Sequence, residues 1–305
     1  MRKNRDWAPG PTNWSRPEEP SGHDPPRPVS DNASETLVKI AWSRMNLEAK
    51  DDEDLRHAVT LLEKTRFIAR LTHYAGQPIE KMIDTLPDGV SEKLQGVVRA
   101  TVTRLLGMAL KTMGNRRPQN ASPRLHKVAG GLSGAIGGAF GLTALAVELP
   151  LSTAIMLRSI ADIARSEGED LTLVESRLAC LEVFALGGRS VVDDGADTGY
   201  YAVRATLAKA LNEAAQHIAA KGMTDKSAPV LVRFIAQISS RFGALVSEKI
   251  AAQAVPIIGA AGGATINLLF LDHFQETARG HFIVRRLERT YGTETVRKAY
   301  REIAG

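Results

Sequence analysis

A twenty-residue run without a charged side chain, VAGGLSGAIGGAFGLTALAV at positions 128–147, sets the tightest limit on what this chain can become. Wound as a helix it would be ~30 Å long, the thickness of a bilayer core. It is also rich in glycine, which is poor helix material unless another segment must come close to the backbone. Gly130, Gly134 and Gly138 lie four apart, as do Ser133, Gly137 and Gly141, so a helix here carries two adjacent ridges of small residues. Such ridges let helices pack backbone to backbone, in a bilayer or in a soluble core. A second uncharged run, IAAQAVPIIGAAGGATINLLFL at 250–271, has Gly259 and Gly263 at the same spacing. Pro256 kinks that run or starts its main helical part. The two runs are expected to pack against each other as a hairpin.

The rest of the chain after residue 34 reads as helix. Leu55, Val59, Leu62, Ile68 and Leu71 recur at helical spacing, and the same periodicity returns over 91–113, 151–167, 171–186, 200–221 and 227–248. No stretch of strict alternation bounded by turn pairs appears, so no strand is expected. The expected fold is therefore all-α, a helical bundle wrapped around the two glycine-rich apolar helices, with no sheet. Residues 1–34, rich in Pro, Asp, Arg and Ser, are expected to be a disordered tail before a single domain over 35–305. Local signals add detail. Ser91 is a plausible cap, Gly168 a stop, and Arg158 with Asp162 a helix salt bridge. Thr172 followed by Glu175 has capping-box spacing. The Glu148-Leu149-Pro150 step reads as the end of a hairpin arm. Residues 273–305 read as a charged helical tail, with Thr293 capping its last helix.

The net charge of +5 and pI near 9.3 fit an anionic membrane surface or nucleic acid, but aromatics at 5% argue against a base-stacking platform. Nucleic acid is not an expected partner. Basic residues cluster at Arg116, Arg117, Arg124 and Lys127 before the first apolar run, and at Arg285 and Arg286 after the second. These are the candidate membrane-surface cations. With positive residues on both sides of each run, a re-entrant hairpin suits the chain better than two independent spans, and a buried soluble hairpin is the alternative. The N-terminus carries no apolar segment of signal-peptide type, and the lone Cys180 fits a reducing compartment.

The segment GGLSGAIGGAFGLTALAVELPLSTAIMLRSIADIARSEGEDL at 130–171 resembles the EcsC family. The resemblance continues through ESRLACLEVFALGG at 175–188 and RFGALVSEKIAAQAVPIIGAAGGATIN at 241–267. It implies a bacterial, membrane-associated protein on the cytoplasmic side, acting beside a membrane partner such as a transporter. It implies no catalytic residues.

Chemistry-bearing motifs are sparse. His217, His273 and His281 show no His-x-x-x-His spacing, and no Walker loop, dinucleotide fingerprint or GxSxG elbow occurs. No metal, cofactor or small-molecule ligand is therefore expected. Glu148 beside an apolar helix, and Asp193 and Asp194 with Asp197 in a polar link, are the candidate acids; each also reads as a helix-end or solvated residue. Asn267, Asp272 and His273 form a third cluster. The function expected is a membrane-associated, non-catalytic protein on the inner face of the cytoplasmic membrane. The alternative is a membrane-associated hydrolase acting on lipid or peptide, with those acids in catalysis.

Overall fold

Ten of the thirteen residues of VESRLACLEVFAL are buried, and a helix apolar on all sides has to sit in the middle of something. The computed structural model describes residues 47–64, 70–73, 90–113, 142–187, 199–222, 228–253 and 259–305, all within the unit Ser43–Gly305. Among these residues every regular element is a helix. In order they are α1 (Ala49–Val59), running into a π-helical turn (Thr60–Lys64), α2 (Val90–Thr112), α3 (Leu142–Ser166) and α4 (Val174–Leu186). Then come α5 (Gly199–Lys221), α6 (Pro229–Gln253), α7 (Gly259–Tyr291) and α8 (Thr293–Ala304). The fold is all-α.

The centre of the described bundle is α4, which packs against α2, α3, α5, α6 and α7. Phe184 on α4 meets Phe242 of α6 and Phe274 of α7, each at 5.1 Å between ring centroids, and Phe270 closes the group. The Phe184–Phe242 and Phe270–Phe274 pairs are edge-to-face, a geometry that adds about 0.5–1.5 kcal/mol per pair beyond the burial itself. The first glycine-rich run lies outside the described residues up to Leu142, so its packing ridge of Gly130, Gly134, Gly137, Gly138 and Gly141 does too. Of the second run, the residues up to Gln253 close α6 and those from Gly259 open α7, while 254–258, Pro256 among them, lie outside the described residues. Gly259 and Gly263 fall in the first turns of α7. Close approach is visible at Gly280, where a Cβ would come within 2.7 Å of Leu62 Cγ and 3.1 Å of the Ala58 carbonyl oxygen. That glycine lets α7 lie against α1 and the turn after it.

The largest difference from the sequence reading concerns residues 273–305. They are no tail. His273, Phe274, His281, Phe282 and Val284 are buried within α7, the longest helix described, and Val296 and Tyr300 bury one face of α8. Arginines that make this stretch look solvated are drawn inward by carboxylates of α1 and of the α3–α4 link.

Helix α3 also corrects the expected break at Pro150, since it runs unbroken through that residue. Proline lacks the N–H that would bond the carbonyl four residues back. That residue is Ala146, which lies on an exposed surface where water can serve its carbonyl. One turn on, Thr153 Oγ1 donates to the Leu149 carbonyl at 2.6 Å. At the far end Gly168 (φ +78°) stops α3 as expected. The Gly168 and Glu169 N–H groups donate to the Arg165 and Ala164 carbonyls, the Schellman pattern.

Three smaller expectations give way to nearer partners. Asp162 pairs with Arg165 at 2.8 Å rather than with Arg158, because three residues ahead serves as well as four back. The capping box fails because Thr172 Oγ1 donates to Asp170 Oδ1 at 2.7 Å, and α4 starts after Leu173 without a side-chain cap. Ser91 lies inside α2, and Thr293 is the first residue of α8 behind Gly292, whose φ of +87° only glycine adopts easily.

Candidate functional site

Helix α3 carries two of the features that bear on function, one at each end. At its N-terminal end Glu148 is buried and accepts a hydrogen bond from Lys249 Nζ at 2.7 Å. Lys249 comes from the last turns of α6, has no exposed surface, and lies 5.2 Å from the centre of the Phe270 ring. Burial pulls the lysine below its ordinary range, against the pull of Glu148. The pair thus joins the two apolar runs seen in the sequence, residue by residue: the acid follows the first and the ammonium precedes the second. An acid held this way is engaged rather than poised, and Glu148 does not line the cleft described below.

Around this pair the surface of α3 is apolar. Val147 is 72% exposed and Leu151 54%, and at helical spacing Ala154 and the exposed Arg158 extend the same face. Exposed aliphatics in line on one helix face are a different matter from scattered ones. They continue directly from the uncharged run at 128–141.

At the C-terminal end of α3 the chemistry is ionic. Glu169 is buried and accepts hydrogen bonds from Arg285 Nε at 2.8 Å, from Ser176 Oγ at 2.8 Å and from Arg289. Burial opposes its charge, but Arg285, with help from Ser176 and Arg289, holds the carboxylate below its usual range. Arg286 bonds Glu167 at 3.0 Å, Asp51 at 3.2 Å and Asp54 at 2.5 Å. Arg285 and Arg286, expected at a membrane surface, are therefore committed to acids of their own chain. Arg116, Arg117, Arg124, Lys127, Asp193, Asp194 and Asp197 lie outside the described residues. Of the third cluster, His273 is buried and its Nε2 donates to the Gly187 carbonyl at 2.8 Å. Burial lowers that imidazole to about 4, so it is neutral and structural.

Next to the ionic end lies a cleft of about 230 Å³ that no motif predicts. It opens between α4, α5, α7 and α8 and is lined by Glu182, Tyr201, Arg204, Arg285, Glu288 and Arg297 among others. Arg204 clasps Glu288 in a two-pronged pair at 2.8 and 3.0 Å. Beneath it Tyr200 O–H lies 2.9 Å from His281 Nδ1, and His281 Nε2 faces Glu182 Oε2 at 3.8 Å, too long for a hydrogen bond. All three side chains are buried. Burial holds His281 neutral, well below the ordinary imidazole range, and pushes the Glu182 carboxyl up. Cys180 nearby is fully buried and its thiol is likewise pushed up, which makes it inert.

Residues 42–287, most of the chain, match the family model for the EcsC protein family. The chain belongs to that family. No curated protein and no solved structure matches it. The EcsC match covers the Glu148–Lys249 pair, the exposed face of α3 and Glu182, while Glu288 and Arg297 lie beyond it. Membership is compatible with membrane association, and so is α6, which by length and composition is apolar enough to cross a membrane, with mean hydropathy 1.3 over a window that is 39% buried.

Proposed function

We propose that this EcsC-family protein is a non-catalytic helical protein that docks on the inner face of the cytoplasmic membrane and acts there with a membrane protein such as a transporter. The docking element is the N-terminal end of α3 together with the uncharged run before it. The observation that carries this reading is the exposed line of Val147 and Leu151, ending at Arg158. An apolar face that ends in a cation suits a helix lying at the level of the head groups. The basic residues of the connector, Arg116, Arg117, Arg124 and Lys127, add attraction to anionic lipid, about 1 kcal/mol for each one near the surface.

Docking suits the chain better than a span through α6. The apolar residues of α6, among them Leu231, Phe234, Ile238, Phe242 and Leu245, are used in the core. Its exposed positions include Arg233, Gln237 and Ser240, which no hydrocarbon would accept.

Flotation of the full chain with vesicles tests the proposal. Binding to anionic vesicles is expected, with weak binding to neutral ones. The double substitution Val147→Asp with Leu151→Asp removes about 2–3 kcal/mol of burial, a loss of roughly 30- to 150-fold in affinity. Recovery of the unsubstituted protein in the lipid-free fraction at low salt would overturn the reading.

A further inference from the structure

Glu182 is an acid that no side chain of the described fold serves. Only 3% of the residue is exposed, yet its carboxylate receives no hydrogen bond from any described residue. A largely buried carboxylate without a protein donor is costly, and what remains to serve it is the water of the cleft. The chain does bring cations near, but each is held elsewhere. Arg204 is clasped by Glu288 through both terminal nitrogens, and Arg285 bonds Glu169 at 2.8 and 3.4 Å. His281 is no substitute. Its Nδ1 is engaged with the Tyr200 hydroxyl at 2.9 Å, and its Nε2 is unbonded and 3.8 Å from Glu182, beyond hydrogen-bond length. The free face of Glu182 opens into the cleft between α4, α5, α7 and α8.

We propose that this cleft is a binding site for a small organic ammonium compound, whose N–H groups bond Glu182. An ammonium is the donor that best serves a buried carboxylate, since the hydrogen bond is charge-assisted. The aliphatic part of the ligand would lie against Ala205, Ala208 and Leu211 on the α5 wall. At about 230 Å³ the cleft has room for roughly seven waters, so the ligand is of amino-acid size and not a chain. The ligand arrives from water rather than from lipid. Glu169, part of the same polar cluster, lies 22 residues along the sequence from Val147, and most of that interval is helix α3. No residue of α3 lines the cleft. The site is therefore independent of membrane docking.

The test is calorimetric titration and thermal shift on the full chain with propylammonium chloride, alongside propan-1-ol and propionate as neutral and anionic shape controls. Saturable binding and a raised Tm are expected for propylammonium alone. Glu182→Gln should weaken it at least about tenfold and, by removing an unserved buried charge, raise the Tm of the ligand-free protein. Ala208→Trp, at an exposed position on the cleft wall, should block binding without changing the far-UV circular dichroism. It decides the matter should the first variant not fold. Equal binding of the two controls, undiminished binding by either variant, or no saturable binding of any probe, as when water alone fills the cleft, would overturn the proposal. Flotation with vesicles should be the same with and without propylammonium, so this inference and the membrane reading fail separately.

Discussion

The two ends of α3 solve the problem of a buried carboxylate in opposite ways. At the N-terminal end Glu148 has one partner, Lys249, and the surface above the pair is bare aliphatic. At the C-terminal end Glu169 has two arginines and a serine, and the neighbouring Glu167 shares Arg286 with two acids of α1. The first arrangement anchors the helix from below and leaves its outer face free for a partner. The second ties α3, α4, α7 and α1 into one block, outside which only Leu173 of the α3–α4 link stands exposed among the large apolar side chains described there. A single helix thus carries a docking end and a structural end.

Breaking the single-partner end should have the largest effect. Glu148→Ala strands a fully buried ammonium, and such a loss costs about 3–5 kcal/mol. Replacing both residues by methionine should recover most of it, since an apolar pair of similar volume needs no compensation. Urea denaturation of the single and double variants checks both statements. At the other end Glu169→Ala should cost less, about 2–3 kcal/mol, because Arg289 is partly exposed and can turn to water. Thermal unfolding of the two alanine variants side by side reads out the difference.

Acid should loosen the core between the two ends. His273 is held at about 4, below the value near 6.5 of an unfolded chain, so the unfolded state takes up the proton first as pH falls. Stability is full above about pH 6.5 and declines as pH drops toward 4. The loss attributable to His273 is about 2 kcal/mol between pH 7.5 and 5, and His281, shifted in the same direction, adds to it. Denaturation midpoints measured across that range, with His273→Gln as the control that flattens the profile, test the sign. The smallest stability effect belongs to the docking face. Val147→Asp with Leu151→Asp should change the free energy of unfolding by less than about 0.5 kcal/mol, as exposed substitutions do. Its whole effect should fall on vesicle binding.

Much of the fold was legible because burial imposes a period. Helices α2, α4, α5 and α6 follow their apolar spacing closely, and Gly168 stops α3 where its sequence position says it should. The sequence misleads where several partners compete for one group. Thr172 goes to Asp170 instead of the helix behind it, Asp162 to Arg165, and the arginines of α7 to acids more than a hundred residues away. Pro150 misleads for a different reason: the bond a proline removes costs less where the freed carbonyl can meet water. The cleft was illegible as a motif, since Glu182, Tyr200, Arg204, His281 and Glu288 sit on three helices with no local spacing. One signal was present. Glu182 interrupts ACLEVFAL, the most apolar part of a helix buried on all sides, and an acid there has to be explained.

The claim that α3 docks by one end and not the other can be read from two fluorescent labels. Cys180 is fully buried, so a thiol-reactive NBD probe can be directed to Val147→Cys or, at the other end, to the exposed position of Ser166→Cys. On addition of anionic vesicles, the probe at 147 should brighten and shift to the blue while the probe at 166 stays unchanged. Equal responses at both ends, or a response at 166 alone, would contradict the account.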